Sequence, residues 1–157
     1  MTRGTMANPE EKTFHCELID PMGKLLDCRA TSVVLPAHDG QLGILYDHMP
    51  MLCQLGLGIM KVTPAPTDPH QETAAPAGTN DTFFFIDGGC ALVAQNTVTV
   101  IAYNALALQA AGVEQIESLI DQTTRSLADP SLSVHQRAHE NERRRALQRI
   151  AESRKGT

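Results

Sequence analysis

Short apolar runs separated by turn residues dominate the first two thirds of the chain. Between Thr13 and Ala102 the runs are rich in β-branched and aliphatic residues, and a turn signal interrupts them every six to twelve residues. This spacing is typical of an antiparallel β-sandwich or barrel. The predicted strands cover residues 13–19, 24–29, 31–36, 41–46, 51–55, 57–63, 82–87, 90–94 and 97–102.

Most of the predicted strands are joined by short connections. Residues 20–23, 38–40 and 87–89 contain the Asp, Gly and Pro that set turn geometry. The exception is 64–81, which has four prolines and few aliphatic residues. This composition predicts an exposed, flexible extension of one hairpin.

From about Gly112 the apolar period changes to that of a helix. One face of this helix is apolar and is formed by Val113, Ile116, Ile120 and Leu127. The opposite face is charged at i, i+4 spacing and is formed by Glu117, Asp121 and Arg125. Asp129-Pro130 should end the helix, because proline disfavours helical geometry at the residue before it.

A second helix is predicted over about 134–154, opened by a capping box between Ser133 and Gln136. It lacks a continuous apolar face. Val134 and Ala138 share one side with Arg145 and Arg149, whereas the nearly opposite side holds Leu147, Ile150, Arg143 and Arg154. We therefore expect the helical hairpin to dock weakly, so that it can undock and re-dock at low cost.

The pattern as a whole predicts two parts. An N-terminal antiparallel β-sandwich covers 13–102, a linker covers 103–111, and a C-terminal antiparallel two-helix hairpin covers 112–157. A chain of 157 residues with 42% apolar residues can bury one core of this size.

Charge divides the chain in a similar way. Residues 1–109 carry five Lys/Arg against eleven Asp/Glu, whereas 135–155 carry seven basic residues against three acidic ones. An acidic body with a basic tail indicates that the two ends meet different partners. The overall charge of −5 and the 4% aromatic content argue against a nucleic-acid partner.

No catalytic or metal site emerges from residue spacing. The four cysteines form no Cys-x-x-Cys pair and are expected to be buried reduced thiols. Of the six histidines only His135 and His139 have i, i+4 spacing, and they lack the His-Glu-x-x-His arrangement. No apolar run is long enough to span a membrane and no leader peptide is evident, which predicts a soluble protein or one attached to a membrane through other proteins.

The strongest charge feature is the run at 142–149, which contains Arg143, Arg144, Arg145 and Arg149. It is either a solvated helix face or a movable basic helix that engages an acidic partner. Guanidinium groups suit the second role because they donate several planar hydrogen bonds to carboxylates or phosphates.

Two stretches of the β region carry a family resemblance. Residues 39–45, DGQLGIL, and 48–52, HMPML, resemble the Gly-x-Leu-Gly-Ile…His-x-Pro-x-Leu signature of the epsilon subunit family of bacterial F-type ATP synthases. Residues 85–93, FIDGGCALV, continuing to 98–102, VTVIA, resemble that family's Ser-Gly-Gly…Val-Thr-Val-Leu-Ala segment. The order of parts, a β-sandwich and then a helical hairpin, is also similar.

The resemblance implies a non-catalytic central-stalk subunit. It would couple rotation of the c ring, driven by protons or sodium ions, to ATP synthesis, and would bind the gamma subunit. The loop facing the c ring would comprise Asp39, Gly40 and Gln41, with His48 nearby. The protein would lie on the cytoplasmic face of the bacterial plasma membrane as a peripheral protein, without inserting into it.

The resemblance also implies a regulatory role for the hairpin. In this family the helices can extend along gamma, meet acidic segments of the beta subunits and block ATP hydrolysis. Here that role would fall to the arginines at 143, 144, 145 and 149. Some bacterial members also bind ATP through a first-helix Ile/Leu-Asp-x-x-Arg-Ala motif and second-helix arginines. Arg145 and Arg149 match the latter part, but Ile120 replaces the first-helix arginine, so we expect no cofactor.

A different class of function remains open on the residues alone. The chain could be a small β-sandwich enzyme or ligand-binding module with an accessory hairpin. That function requires His, Cys or carboxylate groups to converge in a concave pocket. The surroundings of His15, His38 and His48 distinguish the two hypotheses.

Overall fold

The computed structural model describes residues 12–65 and 81–155 of the chain. Its strands are β1 (Phe14–Asp20), β2 (Gly23–Ala37), β3 (Gly40–Leu45), β4 (Met51–Pro64), β5 (Thr82–Ala94), β6 (Thr97–Ala102) and β7 (Ala105–Ala107). Its helices are α1 (Val113–Leu127) and α2 (Val134–Lys155). The chain divides into two compact units, the first ending at Ala105 and the second beginning at Leu106. Most of the predicted long loop at 64–81 lies outside the described residues.

The strands form a sheet that closes on itself. The order is β1-β6-β5-β4-β2-β3, and β2 also pairs with β1, so five strands form a closed ring to which β3 and β7 are added. This confirms the predicted fold class, a β domain followed by two packed helices. The β1–β6 pair is parallel, which was not predicted. A closed ring with an odd number of strands cannot alternate in direction throughout, so one pair must be parallel.

Three pairs of predicted strands are in fact single long strands. β2, β4 and β5 each continue through a position that the sequence pattern indicated as a break. In β2 the partner changes near Ala30, from β1 before it to β3 and β4 after it, and the β2–β4 register shifts there. In β5, Gly88 and Gly89 have φ of 72° and 132° but the ladder continues. These positions bend a strand without ending it.

Gly89 also permits a close approach between β5 and β6. A Cβ atom there would lie 2.1 Å from the carbonyl oxygen of Ile101 and 2.8 Å from the Cα of Ala102. The strands can pack at this distance only because glycine has no side chain.

The interior of the ring is mainly aliphatic, as the scarcity of aromatic residues predicts. Its fully buried side chains include Leu18, Val33, Leu35, Val62, Val98 and Val100. Cys16 and Cys28 are buried directly opposite each other on β1 and β2. The prediction of buried thiols is correct for these two, but Cys53 and Cys90 are only half-buried. Cys90 lies on the outer side of β5, whereas Cys53 is on the inner side of β4, opposite the buried Ala91.

The helices follow the sequence pattern closely. α1 buries Ile116 and exposes its charged face, as predicted. The capping box is present: the Ser133 amide donates to Gln136 Oε1 at 3.0 Å, and the Gln136 amide donates to Ser133 Oγ at 3.3 Å. Neither α1 nor α2 is both long and apolar enough to cross a membrane.

Candidate functional site

The predicted ring-facing loop lies at the β2–β3 turn. Asp39 is in the turn, and Gly40 and Gln41 begin β3; all three are exposed. Gly40 has φ of 144°, a conformation that side chains rarely adopt, so glycine fits this turn. The turn therefore presents one carboxylate and one carboxamide to solvent.

His48 lies beyond the other end of β3. Its amide donates to the carbonyl oxygen of Leu45 at 3.2 Å, and its Nδ1 is 2.8 Å from the carbonyl oxygen of Met49. A hydrogen bond of 2.7 Å from the Asp47 amide to Asn96 Oδ1 ties this loop to the β5–β6 turn. β3 separates His48 from the β2–β3 turn by about 17 Å, its length at ~3.4 Å per residue. The structure thus places the two predicted parts at opposite ends of one strand.

An apolar patch lies on the outer side of β4, β5 and β6, next to the polar side chains of Gln54 and Thr99. We call it the outer apolar face, and it comprises Leu52, Cys90, Leu92, Ile101 and Tyr103. Leu52 and Leu92 are directly opposite each other and are 71% and 50% exposed. Cys90 lies opposite Ile101, and the Tyr103 ring lies against Gly88. Exposed apolar patches of this kind mark interaction sites.

The sequence analysis missed the outer apolar face. Its members are far apart in sequence; Tyr103 follows the end of β6, and the others stand at outward positions of strands whose alternate residues are buried or half-buried. A large apolar residue at such a position is a usable signal, but joining Leu52, Leu92 and Ile101 into one surface requires the strand register.

A charged cluster on the β1–β2 hairpin bears on the alternative hypothesis, that the chain is an enzyme or ligand-binding module. His15 Nε2 is 2.6 Å from Asp27 Oδ1, and Lys24 Nζ is 2.8 Å from Glu17 Oε1 and 2.7 Å from Asp27 Oδ2. The hydrogen bond from Lys24, followed by that from His15, lowers the pKa of Asp27 to about 2. The ligand atoms of His15, Glu17 and Asp27 lie within 4.8 Å of one another, but the Lys24 ammonium already forms ion pairs with both carboxylates.

This group does not form the pocket that an enzyme requires. Asp27 and Lys24 are exposed, so the cluster is a surface ion-pair network. His38 and His48 lie in the loops at the two ends of β3, where the His38 amide donates to the Gln54 carbonyl oxygen and His48 contacts the carbonyl oxygens of Leu45 and Met49. Within the described ranges, the three histidines therefore give no support to an enzyme or ligand-binding module.

The predicted basic run of α2 is divided between two sides of the helix. Arg145 and Arg149 are exposed, and within residues 81–155 they form no ion pair or side-chain hydrogen bond. Arg143 and Arg144 are half-buried, and Arg144 Nη2 donates to Asn141 Oδ1 at 3.4 Å. The buried side of α2 consists of Leu147, Ile150 and Ala151. Of the four arginines in the predicted basic run, Arg145 and Arg149 are thus the two that are directly available to a partner.

The surface around Ile120 bears on nucleotide binding. Ile120 borders a depression of about 480 Å³ between α1 and α2, which is also lined by Glu117, Asp121 and Glu152. Lys155 also lines it and pairs with Glu117, so Asp121 and Glu152 leave a net negative charge there, which disfavours the phosphates of a nucleotide. Arg145 and Arg149 are not among its lining residues.

Together these features define a class of protein. A closed β domain with an exposed apolar face, followed by a hairpin with exposed arginines, is suited to binding other proteins. The sequence model described as ATP synthase, Delta/Epsilon chain, beta-sandwich domain matches residues 13–107. The chain belongs to this ATP synthase delta/epsilon chain family, whose members are non-catalytic subunits of the central stalk that couple the rotor to the rest of the enzyme.

The chain is similar to ATP synthase epsilon chains from bacteria. The ATP synthase epsilon chain of Jannaschia sp. (strain CCS1) is 29% identical over 108 residues, which cover 69% of this chain and 72% of that one. The epsilon chain of Nitratidesulfovibrio vulgaris (strain DSM 19637 / Miyazaki F) is 32% identical over 95 residues, which cover 60% and 61%. The match thus spans about two thirds of these relatives.

Solved structures show a similar fold. A chain in the central stalk and c-ring structure of the Tetrahymena thermophila mitochondrial ATP synthase has a TM-score of 0.60 at 13% identity, covering 87% of this chain and 95% of that one. A chain of the Euglena gracilis mitochondrial ATP synthase has a TM-score of 0.59 at 17% identity, covering 99% and 86%.

Proposed function

We propose that this chain lies at the foot of the central stalk of a bacterial F-type ATP synthase. There its β domain joins the gamma subunit to the c ring, and its hairpin restrains ATP hydrolysis. The family match over residues 13–107 and the bacterial epsilon-chain relatives support this proposal. The protein would be peripheral, on the cytoplasmic face of the plasma membrane.

The c ring would contact the β2–β3 turn and the loop that contains His48. The exposed carboxylate and carboxamide of Asp39 and Gln41 can hydrogen-bond to polar loops. Because these residues and His48 lie about 17 Å apart along β3, more than one ring subunit would share the contact.

Gamma would cover the outer apolar face. Association removes apolar side chains from water, and Leu52, Leu92, Ile101 and Tyr103 are at least half exposed in this chain. Their arrangement over three adjacent strands gives a broad surface rather than a pocket, as an elongated stalk partner requires.

The inhibitory contact would be made by α2. The observation that carries this part is the exposed pair Arg145 and Arg149, one helical turn apart and with no partner within residues 81–155. Such guanidinium groups are available to carboxylates of the beta subunits. Arg143 and Arg144 could join them only after the hairpin opens, because they are half-buried.

The test is ATP hydrolysis by the reconstituted complex. Deleting 112–157 should raise hydrolysis several-fold, and the double variant Arg145→Ala/Arg149→Ala should produce most of that increase, because each lost charged hydrogen bond is worth about 1.5–3 kcal/mol. Arg125→Ala is the matched control, since Arg125 is an exposed arginine of α1. Unchanged hydrolysis in both the deletion and the double variant, with and without an ion gradient, would contradict an inhibitory hairpin.

A further inference from the structure

The N-terminal end of α1 lacks a cap of its own. The residue at the cap position is Gly112, which has no side chain, and no side-chain hydrogen bond caps the helix. Only the amides of Gln115 and Ile116 reach the Gly112 carbonyl oxygen, at 3.1 and 3.3 Å. Glycine is a common residue at this position, but unlike Ser, Thr, Asp or Asn it offers no side-chain acceptor to the amides of the first turn. Contacts from elsewhere can therefore add to the stability of the start of α1.

The end of α2 supplies these contacts. Arg154, in the last turn of α2, donates from Nη1 to the Ala111 carbonyl oxygen and from Nη2 to the Leu108 carbonyl oxygen. The neighbouring Lys155 Nζ is 2.6 Å from Glu117 Oε1 of α1. The guanidinium group can hold two carbonyl groups at once because its donors diverge in a fixed plane.

A second arginine acts in the same way at the other end of α1. Arg137, near the start of α2, donates from Nη1 to the Leu127 carbonyl oxygen at 2.9 Å and from Nη2 to the Asp129 carbonyl oxygen at 3.1 Å. Two arginines of α2 thus hold the backbone at both ends of α1. The Arg137 end is also joined covalently through the turn, whereas the Arg154 end has no such link.

The apolar packing of α2 is confined to the same open end. Its buried residues, Leu147, Ile150 and Ala151, all lie within seven residues of Arg154, and the first half of α2 buries none. The turn joins α1 and α2 covalently at one end. The two helices can therefore separate only from the open end, where Arg154 lies. The contacts of Arg154 must break at the first step.

We propose that Arg154, assisted by Lys155, is a latch that keeps the hairpin closed and sets how often α2 separates from α1. Since Lys155 and Glu117 are both exposed, most of the effect belongs to Arg154. The latch itself does not depend on the proposed function. Only its consequence does: release of the latch increases the fraction of chains in which α2 is extended and inhibitory.

Hydrogen–deuterium exchange of the full-length chain tests the latch directly. In Arg154→Met the amides of the first two turns of α1 and the last two turns of α2 should exchange roughly tenfold faster, because local opening becomes more frequent. Arg154→Lys, which keeps one donor group, should give a smaller increase. Arg125→Met, which removes an exposed arginine of α1, should change neither region.

Peptides from β2, β4 and β5 serve as the folding control, since their exchange should not change in any variant. Unchanged exchange at the open end of Arg154→Met would overturn the latch. Faster exchange spread evenly along α1 and α2 would also overturn it, because a latch predicts opening from one end.

A second measurement separates the latch from the inhibitory function. In the reconstituted complex, Arg154→Met should lower ATP hydrolysis several-fold relative to wild type, since more chains have α2 released. If exchange at the open end increases and hydrolysis does not change, the latch is supported and the inhibitory role of the hairpin is contradicted. If exchange does not change, the latch is overturned whatever the hydrolysis rate.

Discussion

Gly89 shows how much of the β domain depends on a single missing side chain. Its φ of 132° and the 2.1 Å between a hypothetical Cβ and the Ile101 carbonyl oxygen leave no room for a larger residue. The atoms that a Cβ would meet, the Ile101 carbonyl oxygen and the Ala102 Cα, belong to the backbone of a paired strand, which cannot move aside as a flexible side chain could.

Gly89→Ala should therefore lower the free energy of unfolding by more than about 3 kcal/mol, through backbone strain and the clash with β6. Gly43→Ala is the control: no atom lies within 4 Å of its Cβ position, and we expect a change within about 1 kcal/mol. Urea denaturation of the purified chain measures both. Equal midpoints for the two variants would show that β6 does not press on Gly89.

Residues near each other in sequence could be assigned to a surface from the sequence alone. The exposed Asp39 and Gln41 follow from a turn motif, but the helical wheel does not show which side of α2 is exposed, because both sides carry aliphatic residues and arginines. The partners of Arg154 could not be found in this way. Its acceptors are 43 and 46 residues away along the chain. They are backbone carbonyl groups, which every residue has, so the pattern of side chains does not indicate them.

Helices were predicted more accurately than strands, because their ends are set by local contacts. The Ser133–Gln136 capping box and the stop before Pro130 both act within a few residues. Strand ends depend on distant partners, so the sequence pattern predicts a strand break at residue 30 and a turn at 87–89, where the structure has irregular but continuous strands. The parallel β1–β6 pair joins the first and sixth strands and has no local signal.

The capping box offers a prediction at this scale. Ser133→Ala should destabilise the first turn of α2 by about 1 kcal/mol, because the Gln136 amide loses its acceptor. Hydrogen exchange should rise in residues 134–138 and stay constant at the Arg154 end. Ser118→Ala, at an exposed position inside α1, is the control. Uniform loss of helix in Ser133→Ala would indicate that the box holds the whole hairpin rather than one turn.

Across the whole molecule, the two compact units have different surfaces. The β domain offers an apolar face and belongs to the acidic part of the chain, which has five Lys/Arg and eleven Asp/Glu in residues 1–109. The hairpin offers exposed arginines on α2. This division matches the proposed roles, a permanent rotor contact and a regulatory contact with acidic segments.

A prediction for the β domain follows. Leu92→Asp should reduce capture of purified gamma subunit at least tenfold, since a carboxylate would be buried against an apolar partner. The stability of the free chain should change by less than about 1 kcal/mol, because Leu92 is half exposed. Met22→Asp is matched in charge and lies on the β1–β2 turn, where Met22 is 92% exposed. Equal capture of gamma by both variants would place the gamma contact elsewhere.

The parallel pair between β1 and β6 has a consequence for biosynthesis. β1 can form its hairpin with β2 soon after both leave the ribosome, but its other edge stays unpaired until β6 has been synthesised, with Ile101 opposite Ile19. Ring closure therefore waits for about 65 residues of further chain after β2, which ends at Ala37, until β6 ends at Ala102. During that interval a sheet edge is open to pairing with other nascent chains, so we expect elongation rate and chaperone supply to affect the yield of folded protein.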